Sequence, residues 1–267
     1  MSHVTLNETS VRRVRDVRFV RSVLGVRTRT PHDSNAERPE QSKRFERSVK
    51  KLIIAIDGPS GAGKGTIART IADSLGYRHV DTGAMYRAVG WKAEADGISL
   101  DDEAAVAALA DRAEVVVDGG VVSIDGHDVT RAIRTPEIDK VAAAVAKLPR
   151  VRAVLVARQR KSGEAGGVVM EGRDIGSVVF PEADVKIYLD ASAAERARRR
   201  ANDPQHTGGQ AGTAAVAASI ADRDRADSTR TASPLTIAPG AVYIDTTDLP
   251  IDRVVDTVMA LVRQRSS

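Results

Sequence analysis

One stretch constrains this chain more than any other: Gly58-Pro59-Ser60-Gly61-Ala62-Gly63-Lys64-Gly65-Thr66, set between a short apolar run at 52–57 and a segment with helical spacing at 64–75. A strand that breaks into a glycine-rich turn and feeds a helix leads backbone N–H groups round an anion, and the helix N-terminus adds its dipole. Lys64 adds a full charge at the β- and γ-phosphates of a nucleotide. Residues 58–66 are therefore expected to bind ATP. Most loops of this pattern follow the lysine directly with Ser or Thr for magnesium. Here Gly65 follows, and Thr66 comes one place late. Mg2+ is expected to be held mostly through water and phosphate oxygens, with Thr66 as a candidate ligand.

Such a loop belongs to a parallel sheet with crossover helices, and the remaining pattern supplies one. The spacing predicts strands at 52–57, 78–81, 167–170, 185–189 and 241–244. Helices are predicted at 64–75, 84–95, 101–112, 136–146, 150–160, 191–201, 216–227 and 251–262. Residues 114–118 and 121–125 alternate about Gly119-Gly120, a hairpin signal. Residues 202–213 read as a mobile loop. The chain is 42% hydrophobic but only 3% aromatic, so its core must be aliphatic. The fold class is α/β, a parallel five-stranded sheet flanked by helices.

Cysteine is absent, which excludes disulfides, thiolate metal sites and a cysteine nucleophile. No run approaches the ~18–20 apolar residues of a membrane helix, and no signal-peptide core stands near Met1. A cytoplasmic protein without a membrane partner is expected. The net charge of +4 is unevenly spread: residues 1–48 hold 11 Lys+Arg against 6 Asp+Glu, and the rest 29 against 30. The body is near neutral. Residues 1–48 read as a basic, disordered extension, with a nucleic-acid-binding arm as the functional alternative; few aromatics are there to stack on bases. No obligatory nucleic acid is expected.

Further stretches sharpen the reading: Asp81-Thr82-Gly83-Ala84-Met85-Tyr86-Arg87, Leu148-Pro149-Arg150-Val151-Arg152, Glu171-Gly172-Arg173-Asp174-Ile175-Gly176, Val185–Ser192 and Arg223–Arg230. Together, and in this order, they resemble bacterial cytidylate kinase from about residue 52 to 262, leaving the N-terminal segment unmatched. The resemblance implies a P-loop nucleoside-monophosphate kinase fold and transfer of the γ-phosphoryl of ATP to CMP or dCMP. It implies a kinase domain at 49–267, with a core at 49–96 and 150–267. An inserted monophosphate-binding subdomain would occupy about 97–149, and a lid about 196–222.

By that resemblance Arg87 and Arg173, joined by Arg134, would grip the acceptor phosphate. Arg152 and Asp174 would contact cytosine, and Thr82 would line the acceptor pocket. Arg223, Asp227 and Arg230 would hold the sugar and the transferring phosphate. Arg199 would lie near adenine, with residues 246–249 on its other side. Lys64, Arg173 and Arg223 would carry catalysis. Where family members place a base-bonding serine, this chain has Ala143, so UMP is a possible second acceptor.

The residue types agree with this chemistry independently. A phosphate acceptor has a second pKa near ~6, so its attacking oxygen is ionised at neutral pH and needs no general base. What the reaction needs is in-line positioning and positive charge around two anions. Arginine supplies that with a planar fork. Plainer readings stand beside these. Arg173 could pair with Asp174, Arg87 could be a solvated helix charge, and Asp190 could be a magnesium-side acid or a helix N-cap. His79, His127 and His206 read as surface or packing residues. The competing functions are a phosphate-loop kinase for UMP, another nucleotide or a metabolite, and a non-catalytic nucleotide-binding protein. A monomer is expected.

Overall fold

The computed structural model describes residues 51–203 and 213–266. The predicted basic extension at 1–48 and most of the loop at 202–213 lie outside the described residues.

The central strand β1 (Ile53–Asp57) leads into the glycine loop and helix α1 (Lys64–Leu75). Ile67, Ala68, Ile71 and Ala72 of α1 are buried, and Gly76 closes the helix at φ +63°. That left-handed turn favours glycine. Then come β2 (Arg78–Asp81), α2 (Thr82–Ala95) and α3 (Glu103–Arg112). A small antiparallel sheet follows, of β3 (Val115–Asp118), β4 (Val121–Ile124) and β5 (His127–Asp128). Helices α4 (Pro136–Val145) and α5 (Pro149–Gly163) lead back to β6 (Val168–Gly172) and β7 (Val185–Asp190). The chain ends with α6 (Ala193–Ala201), α7 (Thr213–Thr229), β8 (Val242–Asp245) and α8 (Ile251–Ser266).

The main sheet has the order β2-β6-β1-β7-β8, and every pairing is parallel. The expected five-stranded parallel sheet flanked by helices is what forms. Ile54 and Ile56 of β1 pack with α1 and α8 on one face. Ala55 and Ile53 pack with Val156 of α5 on the other. A strand covered on both faces shows a continuous apolar run, which is why 52–57 reads so clearly. Burying a side chain such as Ile54 fully contributes roughly 1.5–3 kcal/mol. From β1 the chain runs to one side of the sheet, and from β6 it crosses to the other, so the glycine loop opens at the switch in strand order, where parallel sheets hold their ligands. A second apolar core joins α2, α3, α4 and α5 to the small sheet.

The structure differs from the sequence reading at a few places. Helix α2 starts at Thr82 rather than 84, because the Asp81 side chain accepts from the Ala84 N–H and caps it. The strand β5 is only two exposed residues and leaves no apolar signal. A π-helical turn at Ile175–Val179 was not expected. The Asp57 carboxylate holds its start, accepting from the N–H groups of Ile175 (2.8 Å) and Gly176 (2.7 Å). Ser192, not Asp190, caps α6, accepting from the Glu195 N–H.

Candidate active site

The glycine loop owes its shape to positions where only glycine fits. Gly58 has φ +148°, and a Cβ there would sit 2.0 Å from the Leu189 carbonyl oxygen. Gly61 and Gly63 are also left-handed, at +79° and +87°. Lys64 is buried, and its Nζ donates to the Pro59 carbonyl at 2.7 Å. Burial, with Arg173 next, brings the Lys64 ammonium down to about 7, against the opposing pull of Glu171, Asp57 and Asp81. Burial likewise pushes the Asp57 carboxyl up to about 6.

A cavity of about 1160 Å³ opens over this loop. Ser60 through Thr66 line it; Gly58 and Pro59 do not, and shape the loop from behind instead. Thr82, Arg87, Arg134, Arg152, Arg173 and Asp174 face the same cavity, as do Arg199, Arg223, Asp227 and Arg230. The end of β2 leads into Thr82 and Arg87 of α2, and the end of β6 into Arg173 and Asp174; Arg134 precedes α4, Arg152 is on α5, Arg199 on α6, Arg223 and Asp227 on α7, and Arg230 just after it.

The cations are held by acids on one side. Asp81 accepts from Arg87 at 2.9 Å and Arg134 at 3.4 Å. Burial alone would raise the Asp81 carboxyl, but Arg87, Arg134, the Ala84 N–H and His79 outweigh it and bring it to about 2. Arg173 Nε donates to Asp227 at 2.9 Å, so Arg173 pairs across the fold rather than with its neighbour Asp174. Asp174 instead bonds Arg152, in a buried pair, and lies 3.9 Å from Arg230. Arg87 is no solvated charge: its side chain is 11% exposed. Arg199 donates to the Thr246 hydroxyl (2.9 Å) and carbonyl (2.6 Å), which ties α6 to the loop after β8. Thr82 donates to the Glu171 carbonyl at 2.7 Å.

Within the cluster some donors, shut off from solvent, are left over. Arg87 Nε, Arg152 Nε, Arg223 Nε and Arg230 Nη2 are buried without a hydrogen-bond partner among the described residues, as is the Tyr86 hydroxyl. Burial, then Arg173, lowers the Arg223 pKa, so this cation sits where a neighbouring anion would relieve it. A cavity lined by this many guanidinium groups suits anionic oxygens. Among the described residues no group of three His, Cys, Asp or Glu side chains could cage a metal. The exposed Thr66 hydroxyl on the cavity wall fits a hard cation held chiefly by water and phosphate.

Several participants escaped the sequence reading. His79, read as surface or packing, lines the cavity and meets Glu171 at 2.9 Å. Tyr86 lies under Arg152, 5.5 Å from guanidinium carbon to ring centroid. Asp139 and Arg200 join the arginine cluster. Only the period of β2 could have flagged His79, since it alternates with buried Val80. Asp190 is neither a cap nor part of the cavity lining; it accepts from the Ala191 N–H and the Tyr243 hydroxyl.

A family model described as cytidylate kinase matches residues 54–264. A cytidylate kinase of Solibacter usitatus is 47% identical over 81% of this chain and 94% of its own length. That of Caldanaerobacter subterraneus is 46% identical over 80% and 95%. That of Geobacter sulfurreducens is 47% identical over 80% and 94%. No helix among the described residues is long and apolar enough to cross a membrane.

Proposed function

The chain belongs to the cytidylate kinase family, and from that premise we propose that it transfers the γ-phosphoryl group of ATP to CMP or dCMP, giving ADP and CDP or dCDP. The observation that carries the reading is the cavity shared by the phosphate loop and the arginine cluster. Two anionic substrates must be held close despite their repulsion, and these groups are the means.

In this reading the N–H groups of residues 60–66 and Lys64 hold the ATP phosphates. Lys64 stays with the γ-phosphoryl as charge builds on the bridging oxygen. Arg199 and residues 246–249 flank adenine. Arg87, Arg134 and Arg173 hold the acceptor phosphate, whose ionised oxygen attacks in line without a base. Thr82 lines that pocket. Arg223 and Arg230, braced by Asp227, hold the sugar and the moving phosphoryl group. Arg152 and Asp174 present one donor set and one acceptor set to cytosine. Mg2+, when bound, would neutralise phosphate charge beside Thr66. Residues 97–149 would act as the monophosphate-binding subdomain and 196–222 as a lid that excludes water. The protein would work as a cytoplasmic monomer.

Ala143 supports a second acceptor, UMP. One base contact fewer weakens rejection, because discrimination rests on leaving polar groups unpaired. Titration calorimetry tests the base reading. CMP should bind at least about tenfold tighter than AMP or GMP, as expected where buried polar groups would otherwise be left unpaired. Equal affinity for all three would remove Arg152 and Asp174 from base recognition.

A further inference from the structure

Asp139 lies in the first turn of α4. In the fold its carboxylate meets three guanidinium groups from three other helices. Arg200 of α6 bonds Oδ2. Arg223 of α7 has Nη1 at 3.7 Å from Oδ1 and also donates to the Asp139 carbonyl at 3.1 Å. Arg87 of α2 has Nη1 at 4.0 Å from Oδ1. The four side chains are 11–22% exposed.

Arg87, Arg200 and Arg223 line the cavity, whereas Asp139 stands behind them. Cations gathered at one place repel, and each would swing away unless something anionic held it. Asp81 anchors Arg87 from one side and Asp227 lies 3.8 Å from Arg223 Nε. Asp139 is the carboxylate that Arg87 and Arg223 share, and through Arg200 it also fastens α6. Both shared arginines keep a buried Nε without a hydrogen-bond partner among the described residues. The carboxylate meets both arginines through Nη1 and so sets the direction in which each fork points.

We propose that Asp139 is a positioning residue for the acceptor phosphate: with Arg200 it clasps α4 to α6 and α7 and holds Arg87 and Arg223 over the cavity. This rests on the reading that Arg87 grips the acceptor phosphate and that Arg223 holds the sugar and the moving phosphoryl group. A pre-set arginine loses less freedom on binding, so the clasp acts through Arg87 on acceptor affinity and through Arg223 on turnover, with ATP binding by the glycine loop left alone.

The experiment compares steady-state kinetics of the full chain with Asp139→Asn, Arg200→Gln and the double variant, alongside their melting temperatures. Asp139→Asn keeps the shape and removes the charge. Losing one charge-assisted contact predicts a roughly five- to tenfold higher KM for the acceptor and an ATP KM within about twofold of the parent. Arg200→Gln should move the acceptor KM in the same direction but by less, and the double variant should be no worse than Asp139→Asn alone, because the contact that Arg200→Gln removes is already lost there. Unchanged acceptor KM in variants that merely melt lower would overturn the proposal, leaving a structural brace. A lower acceptor KM would also overturn it, since the carboxylate would then compete with phosphate. If the parent chain uses an acceptor other than CMP, the cytidylate reading fails, and the same ratios measured on that acceptor decide the clasp.

Discussion

Arg173 and Asp227 stand 54 residues apart in sequence and meet at 2.9 Å, Nε donating to Oδ2. The pair joins the end of β6 to α7, and Asp227 also lies 3.4 Å from Arg230 and 3.8 Å from Arg223. One carboxylate thus braces three cavity cations. Asp227→Ala would take from buried Arg173 the carboxylate it pairs with and loosen Arg223 and Arg230, a change that costs about 3 kcal/mol. Turnover should fall with it, by roughly 10²-fold or more if these arginines act on developing charge. Urea denaturation and steady-state kinetics check both; wild-type stability would contradict the bracing role.

Lys64 acts, in this account, on the ATP phosphates rather than on the acceptor. Lys64→Ala should lower kcat by roughly 10²-fold or more, with CMP affinity changed by no more than about twofold, since uniform binding is untouched. Calorimetry of CMP on the variant separates the two effects. Near-normal turnover would contradict the assignment.

The same lysine predicts a proton uptake. Its pKa is lowered to about 7 by burial, with Arg173 next. At pH 8 most of the free protein therefore lacks this proton. Bound phosphates favour the charged form, so ATP binding raises the pKa and draws a proton in; at pH 6 the proton is already present. Calorimetry of ATP at pH 8, in two buffers of different ionisation enthalpy, should show net uptake that Lys64→Met abolishes. Equal uptake in the variant would place the titrating group elsewhere.

Ala143 sits in the second half of α4, one turn before cavity-lining Ala146. Ala143→Ser should sharpen the preference for CMP over UMP by roughly tenfold, about the worth of one well-made polar contact. The ratio of kcat/KM for the two acceptors measures it. An unchanged ratio would detach this position from the base.

Local features were legible in the sequence. The loop at 58–66 is a continuous pattern, and the buried strands β1, β6 and β7 announce themselves as apolar runs. Arg87, Arg152, Arg173, Arg223 and Arg230 were reached through the motifs around them, whereas Arg69, Arg198 and Arg200, which also line the cavity, were not. Long-range partnerships left no such trace. The π-helical turn at Ile175–Val179 starts on a carboxylate 118 residues earlier, at Asp57. Asp139 meets Arg200 and Arg223 at separations of 61 and 84 residues, and by spacing alone it is one more acid in a helix's first turn. His79 looked incidental because Glu171, its partner, is 92 residues away.

The central claim, phosphoryl transfer from ATP to a cytidine monophosphate, is tested most directly by ADP release in a coupled assay. The assay would use Mg2+ and compare CMP, dCMP, UMP, AMP, GMP and shikimate. The account predicts turnover with CMP and dCMP well above AMP, GMP and shikimate, with UMP between. Turnover led by one of those three, or by none, would contradict it.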